Sequence, residues 1–168
     1  MIRKNVVHAG ALILVLLGAS VAPAPAADLA SQAVAITGAV AHPQSLTLDD
    51  LHKLPSTTVQ VSFLTDKGPM TGSFTGVLLS QVLSNAGVID APGKNAYLRH
   101  VYMVSGRDGY VVALSQGEID SRYGGEMAIL AFAGDGKTLD AGDGIRLVIP
   151  GDKHGGRAVR DVISIEVH

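Results

Sequence analysis

The chain has 168 residues, 13 of them Lys or Arg and 15 Asp or Glu, for a formal net charge of −2, and it contains no cysteine. That balance, with no run of Lys or Arg, argues against a surface that tracks nucleic-acid phosphates or sits on anionic lipid. Without a thiol, disulfides, CxxC redox chemistry, thiolate zinc sites and cysteine nucleophiles are excluded together, so the apolar core must supply the stability.

The first residues have the three-part form of a secretory signal: Arg3 and Lys4, an apolar run over 9–21, and Ala24-Pro25-Ala26 before a cut. The run is shorter than the roughly 20 residues of a membrane-spanning helix. Cleavage is therefore expected after Ala26, with the mature protein periplasmic or secreted; an uncleaved anchor is the other reading. Loss of residues 1–26 leaves 11 basic against 15 acidic residues. Residues 27–33 read as a tether and 34–168 as one domain, with no internal repeat and no linker long enough to divide it.

Residues 33–40 predict a first strand. Thr47-Leu48-Asp49-Asp50 then offers an N-cap and an acidic first turn, with Pro55 ending a short helix. Over 58–64, Val59, Val61 and Phe63 alternate with Thr58, Gln60 and Ser62, the pattern of a half-buried strand. Asp66-Lys67-Gly68 is a turn signal that folds the chain back into a strand over 70–74. Val77, Leu78, Val82 and Leu83 recur at helical spacing, and Gly87 is placed to end that helix in the left-handed conformation. A strand over 97–104, a turn at 106–109 and a partner strand over 110–114 follow. Ser115-Gln116-Gly117-Glu118 is a capping box opening one helical turn. Residues 127–133 and 145–149 read as short buried strands, and 162–167 as a last one, with Val162, Ser164 and Glu166 on one face and Ile163, Ile165 and Val167 on the other. Many strands with two or three short helices at irregular intervals predict an α+β fold, mostly strand in a mixed sheet.

The order of these pieces carries a resemblance. Gly38-Ala39-Val40 with Pro43, Leu46 through Leu51, Phe74-Thr75-Gly76-Val77-Leu78-Leu79, Ser105 through Tyr110, Gly136 with Leu139, Ile145 through Pro150, and Val159 through Glu166 together resemble the molybdopterin-binding domain of sulfite oxidase-type oxidoreductases. The resemblance implies that fold and a pocket shaped for a pterin. Family enzymes bind molybdenum through one cysteine, expected in or just after the strand at 58–64, where this chain has Ser62, Phe63, Leu64 and Thr65. The family usually has tryptophan where Phe74 stands. Soft ligands suit such a metal, and here the protein sulfur is missing. Small exported members without the cysteine look like pterin-binding proteins, some serving as ligand-sensing partners of membrane-bound signalling proteins.

A pterin presents a flat ring and a donor-acceptor edge, so its receptor wants an aromatic face and a carboxylate or backbone groups. Asp108 and Tyr110 supply both types around Gly109, although Asp108-Gly109 also makes a good hairpin turn. The glycines of Gly151-Asp152-Lys153-His154-Gly155-Gly156-Arg157 allow close backbone approach, and Lys153, His154 and Arg157 suit phosphate or ring oxygens, unless the loop is simply solvated. The resemblance, which lays the equivalent loop along the cofactor, supports Arg157 in particular. Arg107, Phe74 and Tyr123 complete the candidates; each also reads as an ordinary turn, core or loop-pinning residue.

Asp135, Asp140 and Asp143 lack EF-hand spacing, the histidines lack the close spacing of a zinc site, and Gly72-Ser73-Phe74-Thr75-Gly76 is no nucleophile elbow, because its serine stands one position early. The expected function is an exported, non-enzymatic, pterin-like small-molecule binding protein, serving as a sensor for a membrane-bound signalling or redox partner. The alternatives are a molybdopterin-dependent oxidoreductase, an accessory subunit of one, or a domain of this fold that carries no ligand.

Overall fold

The computed structural model describes residues 32–140 and 142–168; the leader, its cut after Ala26 and most of the expected tether lie outside the described residues. In chain order the elements are β1 (Ala33–Gly38), β2 (Gln44–Thr47), α1 (Leu48–His52), β3 (Ser56–Thr65), β4 (Gly68–Leu78), α2 (Leu79–Ala86), β5 (Val101–Gly106), β6 (Val111–Ser115), α3 (Gln116–Ile119), β7 (Ile129–Gly134), β8 (Lys137–Thr138), β9 (Arg146–Val148) and β10 (Val162–Val167). One five-stranded sheet runs β2-β1-β10-β5-β6; the other runs β3-β4-β7-β8, with β9 also on β7. The β1–β10 pair is parallel and its neighbours antiparallel, so the first sheet is mixed. The fold is α+β and dominated by strand, as expected.

The main core lies between the inner face of the first sheet, with Ile36, Tyr102, Leu114 and Ile165, and one face of the second, with Val77, Leu130 and Leu147. A second cluster, Val59, Val61, Phe63, Phe74, Ile129, Ala131, Leu139 and Val148, covers the opposite face of the second sheet. Burial on both faces explains why β7 reads as a continuous apolar run. Helix α2 buries Leu79, Val82, Leu83 and Ala86, one stripe at helical spacing, and Gly87 closes it at φ 67°.

Three expectations shift. Val77 and Leu78 match helical spacing but belong to β4, because their main chain pairs with Leu130 and Ile129 of β7. The strand expected from Tyr97 starts at Val101, since Ala96–Arg99 is a 3-10 turn entered through Asn95 at φ 54°. In β10 a register shift between Val162 and Ser164 interrupts the alternation, so Val162 is buried with Ile165 and Val167.

The Thr47 cap forms as a full capping box: the Asp50 N–H donates to the Thr47 hydroxyl at 3.2 Å, while the Thr47 hydroxyl and N–H donate to the Asp50 carboxylate at 2.6 and 3.1 Å. The Thr47 hydroxyl first, then Lys53, hold that carboxyl down from 3.8 to about 2. A carboxyl depressed on folding contributes stability that is complete above its unfolded value and is lost as pH falls through its folded value. The melting temperature is therefore expected to fall as pH drops from 3.8 towards about 2, and Asp50→Asn to make that fall shallower. Circular-dichroism melts across this range check it; identical slopes in the two proteins would refute the assignment.

Candidate functional site

Three segments meet around the tip of the β3–β4 hairpin. The Leu64 N–H donates to the Lys153 carbonyl at 2.9 Å, and Leu64 forms an isolated parallel bridge with His154. The Tyr110 hydroxyl donates to the Gly156 carbonyl at 2.6 Å, tying the β5–β6 turn to the same loop. Between hairpin and loop lies a cleft of about 530 Å³ lined by Leu64, Thr65, Asp66, His154, Gly155 and Gly156, within the size range of small-molecule sites. Its walls include the half-exposed Leu64 on one side and Gly155 and Gly156, which open a 3-10 turn, on the other. Thr65 is occupied within the hairpin, donating to the Gly68 carbonyl at 2.8 Å and accepting from the Lys67 N–H.

The loop is clamped from behind. Arg157 donates to both oxygens of Asp152, at 3.0 and 2.5 Å, and to Glu118 Oε1 at 2.5 Å. The other Glu118 oxygen accepts from the Ser115 N–H and hydroxyl, closing the expected capping box of α3. Burial pushes the Glu118 carboxyl up, but the Ser115 bonds and Arg157 outweigh it and leave the group below its ordinary value. With its guanidinium given to two carboxylates, Arg157 positions the loop instead of presenting an open cation to the cleft.

The other candidates divide. Asp108 accepts from the Tyr110 N–H at 2.9 Å and so shapes the turn that carries Tyr110. Arg107 pairs with Asp161 at 2.8 Å. His154 lines the cleft directly. Phe74 is buried in the second cluster, with the Arg146 guanidinium 5.2 Å from its ring centroid. Tyr123 belongs to a separate group: its hydroxyl bonds that of Tyr97, and Arg122, paired with Asp120, lies over both rings. Tyr97 and Arg122 line a second cavity of about 480 Å³ whose floor includes His100, Tyr102 and Gln116. Burial foremost, then Asp90 and Asp120, push the Tyr102 hydroxyl up to about 12. The polar groups of that floor bond one another, the Asp90 and Asp120 carboxylates or the main chain, which is the pattern of a structural network.

Sequence reasoning passed over Asp152, Glu118 as a clamp, and Arg146, which is 5% exposed with its Nε unpartnered among the described residues. Burial lowers the Arg146 pKa, and Arg160 adds to this. The available signal was an arginine inside the apolar run 145–149.

A match to the family model described as the oxidoreductase molybdopterin binding domain extends over residues 21–168. The chain belongs to this molybdopterin-binding domain family. A similar solved structure is the sulfane dehydrogenase SoxCD from Paracoccus pantotrophus, with a TM-score of 0.68 at 22% identity, covering 84% of this chain. The likeness establishes the fold; the present chain corresponds to 39% of that one. No curated protein matches the sequence.

The family implies a molybdenum-bearing pterin, and this member's residues fit its two parts differently. At the end of β3, Phe63 is buried against Gly155, Leu64 is apolar, and the Thr65 hydroxyl is bonded within the turn. The chain has no cysteine, and among the described residues no cluster of three or more His, Cys, Asp or Glu is placed to hold a metal. These donors do not fit a molybdenum gripped by protein sulfur. The organic part needs no such donor, and the cleft of about 530 Å³ beside Gly155 and Gly156 has room for a small heterocycle.

Proposed function

We propose that this molybdopterin-binding domain member is an exported, non-enzymatic receptor for a flat, pterin-like heterocycle, held between the β3–β4 tip and the 151–157 loop, and that it reports the ligand to a membrane-bound signalling or redox partner. The observation that carries this reading is the cleft itself. Leu64, Gly155 and Gly156 offer an apolar wall and close backbone approach, in a chain without the sulfur that would grip the metal. Export rests on the leader, and the partner on the family resemblance.

Native mass spectrometry of the exported protein tests the reading: a chain beginning at Ala27 with a pterin-sized adduct is expected, and a ligand-free chain that also fails to bind added neopterin would refute it. Arg157→Ala is expected to weaken neopterin binding about tenfold, because it frees the loop. It should also cost about 1–2 kcal/mol in urea unfolding: it leaves Asp152 unpaired, while solvent screening at the half-exposed Glu118 keeps the cost low. Calorimetric titration showing unchanged affinity in a folded Arg157→Ala protein would move the site elsewhere.

The family match also supports a molybdopterin-dependent oxidoreductase or an accessory subunit of one. Stoichiometric molybdenum in protein purified from a cofactor-competent host would decide for that reading and against the receptor.

A further inference from the structure

Strand β3 is a ten-residue edge that pairs along its whole length with β4. In an antiparallel ladder, alternate residues direct both main-chain groups away from the partner strand. Leu64 belongs to that outward set, because its N–H goes to Lys153; counting by twos, so do Ser62, Gln60 and Thr58. The main-chain groups of Thr58, Gln60 and Ser62 have no hydrogen-bond partner among the described residues. Edge strands are normally blunted by lysine, proline, a bulge or short length. The edges of the first sheet are the four-residue β2 and the five-residue β6. By contrast, β3 has no charged residue, no proline and no register shift.

Its sequence also suits one particular occupant. Thr58-Val59-Gln60-Val61-Ser62 reads nearly the same in both directions, and a two-fold interface must be self-complementary. We propose that β3 pairs antiparallel with β3 of a second copy of this chain, about an axis through Gln60. Thr58 then lies opposite Ser62 of the partner subunit, Val59 opposite Val61 of the partner subunit, and the two glutamines face each other. No like charges meet. Thr58 already bonds Thr75 of β4 at 2.8 Å, so the solvent-side row continues as uncharged hydroxyls. The 151–157 loop occupies the edge at Leu64 and limits the pairing to the central residues, leaving the cleft outside the joint. So short a contact implies a dimer with a dissociation constant on the order of micromolar.

Sedimentation velocity of the full mature protein from micromolar to millimolar concentration is expected to show a monomer–dimer equilibrium. Gln60→Lys sets two ammonium groups against each other and should raise the dissociation constant about 100-fold. Ala113→Lys, on the exposed face of β6 in the other sheet, should retain dimerisation as a control. Hydrogen exchange on the unmodified protein is a readout that needs no variant: the amides of Thr58, Gln60 and Ser62 should gain protection as concentration rises. A protein that stays monomeric throughout, a Gln60→Lys variant that dimerises undiminished, or a dimer whose three amides exchange freely would each overturn the proposal, the first of these leaving the edge to a strand from a different protein.

Discussion

Gly76→Ala is expected to cost about 3 kcal/mol or more of folding stability, measured as a lowered urea midpoint. Gly76 lies in β4 opposite Ala131 of β7, at the register shift that follows Thr75. A methyl group built there would overlap the Leu130 carbonyl oxygen and approach the Ala131 Cα to 2.5 Å. Both are main-chain atoms, so no side chain can rotate aside and the two strands must part. They part at the worst place, because Ile129, Leu130 and Ala131 are completely buried and serve both clusters of the core. A loss below about 1 kcal/mol would mean that the strands can separate locally, contrary to the packing described.

Gly156→Val is expected to abolish detectable neopterin binding while leaving the melting temperature close to that of the parent. Gly156 lines the cleft, and nothing lies within 4 Å of a Cβ at this position, so the larger side chain fits without strain while crowding the site. Its neighbour behaves differently: a Cβ at Gly155 would come 2.9 Å from the Phe63 ring, so Gly155→Ala should disturb β3 as well as the loop. The contrast separates filling the site from unfolding it. If Gly156→Val binds neopterin with parental affinity in calorimetry, the ligand does not use this cleft.

Most of the fold was legible because local rules and burial agreed. The Val59-Val61-Phe63 alternation, the Asp66-Lys67-Gly68 turn, the Thr47 N-cap, the Ser115–Glu118 capping box and the Gly87 stop each follow from chemistry within a few residues, and each forms as read. Misreadings occurred where a distant strand decides. Val77 and Leu78 have helical spacing, yet pairing with β7, fifty residues on, draws them into β4. The site was legible in composition and less so in geometry. Tyr110 and His154 come to one loop, but Arg157 reads as a free cation until Asp152 and Glu118 are seen on either side of it. Phe74 and Tyr123 are aromatic like a stacking residue, and only tertiary packing separates them from the cleft.

The Glu118 carboxylate has its two oxygens committed in different directions, one to the start of α3 and the other to Arg157. A single side chain thus answers for two stretches of backbone that lie far apart in the chain. Any change that neutralises or removes it loosens both at once. Substitutions at Ser115 and Arg157 will therefore not behave as independent perturbations when combined, although no hydrogen bond joins the two residues directly.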